Sequence, residues 1–105
     1  MSKLRRYEIL LPRKFNDGQA VPERLISETL QELETRFGAV SWETQIIQGA
    51  WQYKGEGYRD ELFRVFVDVP NRAEHRTFFR TYKAKLKVRF KQIDIWMTTY
   101  PLDVV

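Results

Sequence analysis

Eight lysines or arginines fall within residues 71–92, against one glutamate. Five of them, Arg72, Arg76, Arg80, Lys83 and Lys87, recur at three- and four-residue spacing. Cations so spaced line one side of a helix and can follow a phosphate backbone, releasing its counterions. Arg5 and Arg6 near the start extend the set. All seven are candidate nucleic-acid contacts, of the kind that position a strand or duplex without reading its bases. The competing reading is a solvated face partly paired with Glu28, Glu32 and Glu34, in which Arg76, Arg80 and Lys83 face the acidic helix. Each exposed pair contributes only ~0–1 kcal/mol, yet together such pairs cancel much of the outward field.

Other chemistry has less to build on. The chain has no cysteine, which excludes disulfides, thiolate catalysis and Cys-ligated zinc or iron–sulfur sites. His75 is the single histidine, and no carboxylate cluster at metal-ligand spacing surrounds it, so it reads as a surface residue between Glu74 and Arg76. Asp60, Glu61 and Asp68 are the best carboxylates for acid–base work. Adjacent strand residues point to opposite faces, however, so Asp60 and Glu61 do not converge. No glycine-rich loop leads from a strand into a helix as phosphate cradles require. The expectation is a binding or assembly module with no catalytic residues, no metal and no cofactor, rather than an enzyme.

The 105 residues and net charge of +4 conceal a segregated pattern, with an acidic middle between two basic segments. That length fits one domain, residues 1–105, with an ordinary core. Seven Phe, five Tyr and three Trp mark a globular chain rather than a disordered one. The opening MSKLRRYEILLPRKF has an apolar run too short and too interrupted for a signal peptide. No uncharged stretch approaches the length of a membrane span. A cytoplasmic protein without membrane contact is expected.

The elements that would position these groups follow from periodicity. Residues 5–12 alternate as a strand closed by Pro12. Leu25, Ile26, Leu30, Leu33 and Phe37 recur at helical spacing over residues 22–37, with Pro22 suited to the first turn and Gly38 to the stop. Residues 40–53 alternate again, but the parity of the apolar positions switches near Gly49, which predicts a β-bulge there. Residues 54–57 make a hairpin turn, and Phe63, Val65, Val67 and Val69 alternate in the next strand. In residues 71–91 Phe78, Phe79, Tyr82 and Leu86 share an arc of about 100°, beside a basic arc of about 60° made by Arg76, Arg80, Lys83 and Lys87. Residues 85–91 also alternate as a strand would, but no turn residue interrupts the helix. A last strand is expected over residues 93–99, with an irregular tail from Pro101.

The predicted order, β-α-β-β-α-β, is the ferredoxin-like α+β fold, a four-stranded antiparallel sheet with two helices on one face. Gly49-x-Trp51, the glycine turn followed by Arg59, and Arg89-Phe90-x-Gln92 make the chain resemble a family of small, uncharacterised bacterial ferredoxin-like proteins. That resemblance implies the fold and supplies no activity.

Alternation sends half of each strand to the face away from the helices. Leu10, Trp42, Trp51, Tyr53, Phe66 and Trp96 are the candidate interface or pocket residues there. A homodimer through the open sheet faces would cover them. The alternatives are a small-ligand protein or enzyme with its pocket between two sheets, His75 being the candidate haem ligand, and a heterologous protein partner. RNA-recognition modules of this topology stack bases on the two central strands, here Tyr7, Phe63 and Phe66, but residues 61–67 lack that module's signature and Phe63 suits the core.

Overall fold

The computed structural model describes residues 3–105, and its elements run β1 (Leu4–Pro12), α1 (Glu23–Phe37), β2 (Ser41–Trp42), β3 (Ile47–Tyr53), β4 (Glu56–Pro70), α2 (Ala73–Arg89) and β5 (Met97–Leu102). Every strand pair is antiparallel: β4 takes β1 on one side and β2 then β3 on the other, and β5 closes the far edge against β1. The predicted four strands are therefore corrected to five, because the segment expected as one strand over 40–53 is broken. Trp42 lies opposite Val65 and Ile47 opposite Leu62, so residues 43–46 face only Phe63 and Arg64. Two extra residues loop out.

An even insertion leaves side-chain alternation in phase. Even positions of both β2 and β3 thus share the helix side of the sheet, and odd positions share the open side. The predicted flip at Gly49 does not occur. Gly49 sits opposite Asp60 in regular register, and the irregularity lies earlier, where Glu43 still donates its N–H to the Arg64 carbonyl at 3.0 Å.

Odd positions of β1 and β4 build the core: Tyr7, Ile9, Leu11, Phe63, Val65, Val67 and Val69 are buried against Leu33, Phe79, Tyr82, Leu86 and Phe90. Burial of each such side chain contributes about 1.5–3 kcal/mol. Phe79 stacks on Tyr7 at 4.0 Å between ring centroids and on Phe37 at 5.3 Å. Gly38 ends α1 with φ 84°, returning its N–H to the Glu34 carbonyl. The helical reading of residues 85–89 holds. After α2 the chain turns through Lys91 (φ 54°), and Ile95 plugs the core. Residues 93–96 are spent on that crossing, so β5 starts at Met97 rather than Ile93 and runs through Pro101 instead of ending before it.

Along β4 the ladder with β1 stops at Leu62, followed only by the Arg13 N–H donated to the Glu61 carbonyl at 2.8 Å, and residues 56–60 pair only with β3. The β3–β4 hairpin projects beyond the sheet as a two-stranded arm. Lys54 (φ 50°) and Gly55 (φ 80°) form its tip, a two-residue turn of the kind whose twist matches the strands.

Candidate functional site

The open face of the sheet divides into two halves. Over β1, β5 and the C-terminal half of β4, charges satisfy one another. Arg6 donates to both Asp68 oxygens at 2.7 and 3.0 Å while its guanidinium lies 4.4 Å above the Phe66 ring. Tyr100 donates to Glu8 at 2.7 Å, and this hydrogen bond is the main reason its phenol pKa is raised. Arg64 reaches Glu43 at 3.3 Å. The predicted residue Phe66 therefore sits beneath Arg6 in the polar half.

At the root of the arm the same face becomes apolar. Leu10, Pro12, Leu62, Trp51, Tyr53 and Trp96 line a cleft of about 600 Å³, floored by the sheet and walled by residues 92–96. Trp51 and Tyr53 are at odd β3 positions, which point to the open side. Trp51 stacks on Tyr58 with centroids 4.5 Å apart and donates its indole N–H to Asp60 Oδ2 at 2.6 Å. Trp96 is 65% exposed, held where its carbonyl accepts the Leu10 N–H at 3.0 Å. Asp60, Asp94, Gln52 and Gln92 supply the carboxylate and amide groups of the lining, which includes no lysine or arginine. Aromatic faces beside carboxylates favour a planar ligand of neutral or positive charge.

Four of the six predicted pocket residues, Leu10, Trp51, Tyr53 and Trp96, come together here. Trp42 does not join them. It is paired with core-facing Val65, hence on the helix side, and half-exposed. Asp60 and Asp94 were not picked out as part of this site. The signal for Asp60 was its place two residues beyond Tyr58, on the parity that Trp51 shares across the hairpin.

The basic residues divide as well. Arg5 donates to Asn71 Oδ1 at 3.1 Å, Arg72 lies 3.6 Å from Glu74, and Lys83 lies 3.2 Å from Asp94. The side chains of Arg76, Arg80 and Lys87 make no hydrogen bond or ion pair among the described residues. The predicted pairing across the two helices does form, but through other cations. Arg89 spans Glu32 with two hydrogen bonds of 2.8 and 2.9 Å and donates to Thr29 Oγ1 at 2.8 Å. Tyr82 donates to Glu32 at 2.8 Å, and Lys85 reaches it at 3.1 Å. These donors, Arg89 foremost, hold the Glu32 carboxyl down at about 2, against desolvation that opposes them. Burial and the Glu32 bond raise the Tyr82 phenol.

His75 packs edge-on against Phe37 at 5.5 Å and does not line the cleft. Among the described residues no three His, Cys, Asp or Glu side chains gather to hold a metal ion, and no helix is long and apolar enough to cross a membrane.

Fold and cleft together define an α+β protein with an antiparallel sheet, two helices on one face and an aromatic cleft at the arm. No known family and no curated protein matches the sequence. Among solved structures the chain is similar to a phage SAM lyase in complex with S-methyl-5′-thioadenosine, with a TM-score of 0.71 and 13% identity, covering 96% of this chain and 83% of that one. It is also similar to the divalent ion tolerance protein CutA1 from Ehrlichia chaffeensis, with a TM-score of 0.55, 10% identity and coverage of 100% and 86%. A de novo designed protein with a ferredoxin fold matches with a TM-score of 0.37 and 12% identity, covering 100% of this chain and 88% of that one. At such identities the likeness is one of fold.

Proposed function

We propose that this chain is a small-molecule-binding protein whose site is the aromatic cleft at the root of the arm. The observation that carries the proposal is the lining itself: Trp51, Tyr53 and Trp96 around about 600 Å³, with Asp60 and Asp94 and without a cationic side chain. Rings of this kind stack a planar heterocycle, and the carboxylates accept hydroxyl or ammonium hydrogens. A phosphate would meet the Asp60 carboxylate there, and the nearest cation, Lys83, is already paired with Asp94 at 3.2 Å. S-methyl-5′-thioadenosine, the molecule bound in the similar SAM lyase, is a purine nucleoside thioether without phosphate, so it suits this chemistry and serves as a probe. Titrating it and S-adenosylmethionine against tryptophan fluorescence should give saturable quenching, with ATP much weaker. No saturable change with either nucleoside up to millimolar concentration would end this reading.

A second reading rests on Arg76, Arg80 and Lys87, which leave positive charge unspent on the outer face of α2. They support contact with an anionic macromolecule, nucleic acid first, through phosphates alone. Binding would then weaken steeply with salt. Alanine at all three positions should abolish it, and equal binding by that variant at equal salt would rule it out.

A further inference from the structure

The two edges of the sheet are built differently, and the difference points to a second copy of this chain. On the β5 edge, the Leu10–Trp96 bond directs the backbone groups of even-numbered β5 residues inward to β1. Met97, Thr99 and Pro101 therefore present the outward side, and Pro101 has no N–H to offer. Proline at such a position blunts an edge against further pairing.

The β3 edge has no such protection. The two-residue turn at Lys54-Gly55 makes Tyr53 and Glu56 a hydrogen-bonded pair, so odd residues of β3 bond to β4 and even ones point away. Gln48, Ala50 and Gln52 thus carry the outward N–H and C=O groups. All three residues are exposed, and no backbone bond outside the β4 ladder reaches them among the described residues. Ile47–Tyr53 contains no charge and no proline. A two-stranded ribbon is marginal on its own, and this arm lies beyond the cover of β1.

We propose that two copies join β3 to β3, antiparallel, about a two-fold axis through Ala50. In that register Ala50 meets Ala50 of the second copy, and Gln48 meets Gln52, so all three outward residues of each strand are used at once. The pairing is self-complementary on both faces. The Gln48 and Gln52 amides can bond across the strands, no like charges oppose, and Trp51 of one copy falls opposite Gly49 of the other, where the missing side chain leaves room for the indole. Gly49 belongs to the cleft lining. The two clefts therefore lie side by side across the axis, with Trp51 of each copy keeping its own contacts with Tyr58 and Asp60. This arrangement replaces the face-to-face dimer expected from alternation alone, because half of the open face is already occupied by its own ion pairs.

The mass of the full chain by light scattering after size exclusion should be that of a dimer at micromolar concentration. Ala50→Pro removes an outward donor that the protomer does not use, so it should give a monomer with unchanged far-ultraviolet circular dichroism. Ala50→Cys introduces the chain's one thiol. Paired Cα atoms at such a position lie about 5.5 Å apart, within the disulfide range, so mild oxidation should yield a covalent dimer, while Val88→Cys, exposed on α2, should not. A monomeric or trimeric parent would overturn the proposal, and so would a well-folded Ala50→Pro that stays dimeric. If Ala50→Pro fails to fold, the cross-link decides: Ala50→Cys forming no more covalent dimer than Val88→Cys overturns it as well.

Discussion

The helix layer and the arm handle their polar and aromatic groups in opposite ways. Between α1 and α2, Arg89, Glu32, Tyr82 and Thr29 close on one another, and the Arg89 side chain is only 9% exposed. At the arm, Trp96 is 65% exposed and Tyr53 is exposed beside a part-buried Trp51, and among the described residues the Asp60 side chain bonds only the Trp51 indole. A polar group that matters for stability has its partners supplied by the fold. A polar group kept for a ligand or partner does not. Damage to the first region should therefore appear in stability, and damage to the second in binding.

The largest effect on stability belongs to the aromatic stack that carries both helices. Phe79→Ala removes a fully buried ring from between Tyr7 and Phe37, and unfolding in urea should show a loss of about 3–5 kcal/mol. The residual folded fraction should still bind a cleft ligand. Arg89→Ala comes next at about 2–3 kcal/mol, because Glu32, Thr29 and Tyr82 lose a shared donor in a partly desolvated place. A loss below about 0.5 kcal/mol would mean that the helix layer is no more closed than the surface.

The same cluster gives the helix layer a pH dependence. The folded Glu32 carboxyl titrates at about 2, below the ordinary 4.5. A depressed carboxylate pKa contributes stability that is complete above the ordinary value and fades as pH falls toward the folded one. Denaturation midpoints should decline between about pH 4.5 and 2, and Glu32→Gln should flatten that decline while starting from a lower plateau. An unchanged acid limb in the variant would show that other carboxylates dominate.

What could be read from residue order and what could not follows from the range of the interactions. β1, α1 and α2 were legible because each has a local period that its burial later matched, and the hairpin because of its glycines, although the turn predicted over 54–57 closes on Lys54-Gly55 alone, with Glu56 and Gly57 already in β4. The break at 43–46 was not, since its length is set by β4 across the ladder rather than by anything in its own pattern. Gly49 drew the bulge prediction only because both parities near it are apolar. The late start of β5 depends on Ile95 being needed in the core. Arg89 was the most readable miss: at 100° per residue it falls between Phe78 and Tyr82, inside the apolar arc, and a cation there calls for a carboxylate on the facing helix. For the site, the aromatics at the arm were visible as residues, and Trp42 and Trp51 differ in parity, so only a bulge between them, which the structure lacks, would have brought both to the open face.

The smallest stability effect and the largest functional one should meet in Trp51→Ala. The indole stacks on Tyr58 and bonds Asp60, yet both partners are near water, which can take over the Asp60 bond. The expected loss in urea is about 1 kcal/mol, well under that of Phe79→Ala, although tryptophan is the larger side chain. Quenching by S-methyl-5′-thioadenosine, followed through the remaining Trp96 and Trp42, should be lost or weakened at least tenfold. Trp51→Phe separates the two contributions of the ring: it retains a stacking surface but no donor, so it should recover part of the affinity and leave Asp60 free for the ligand. If Trp51→Ala instead lost about as much stability as Phe79→Ala and bound the nucleoside unchanged, the arm would be a second core and the contrast with the helix layer would fail.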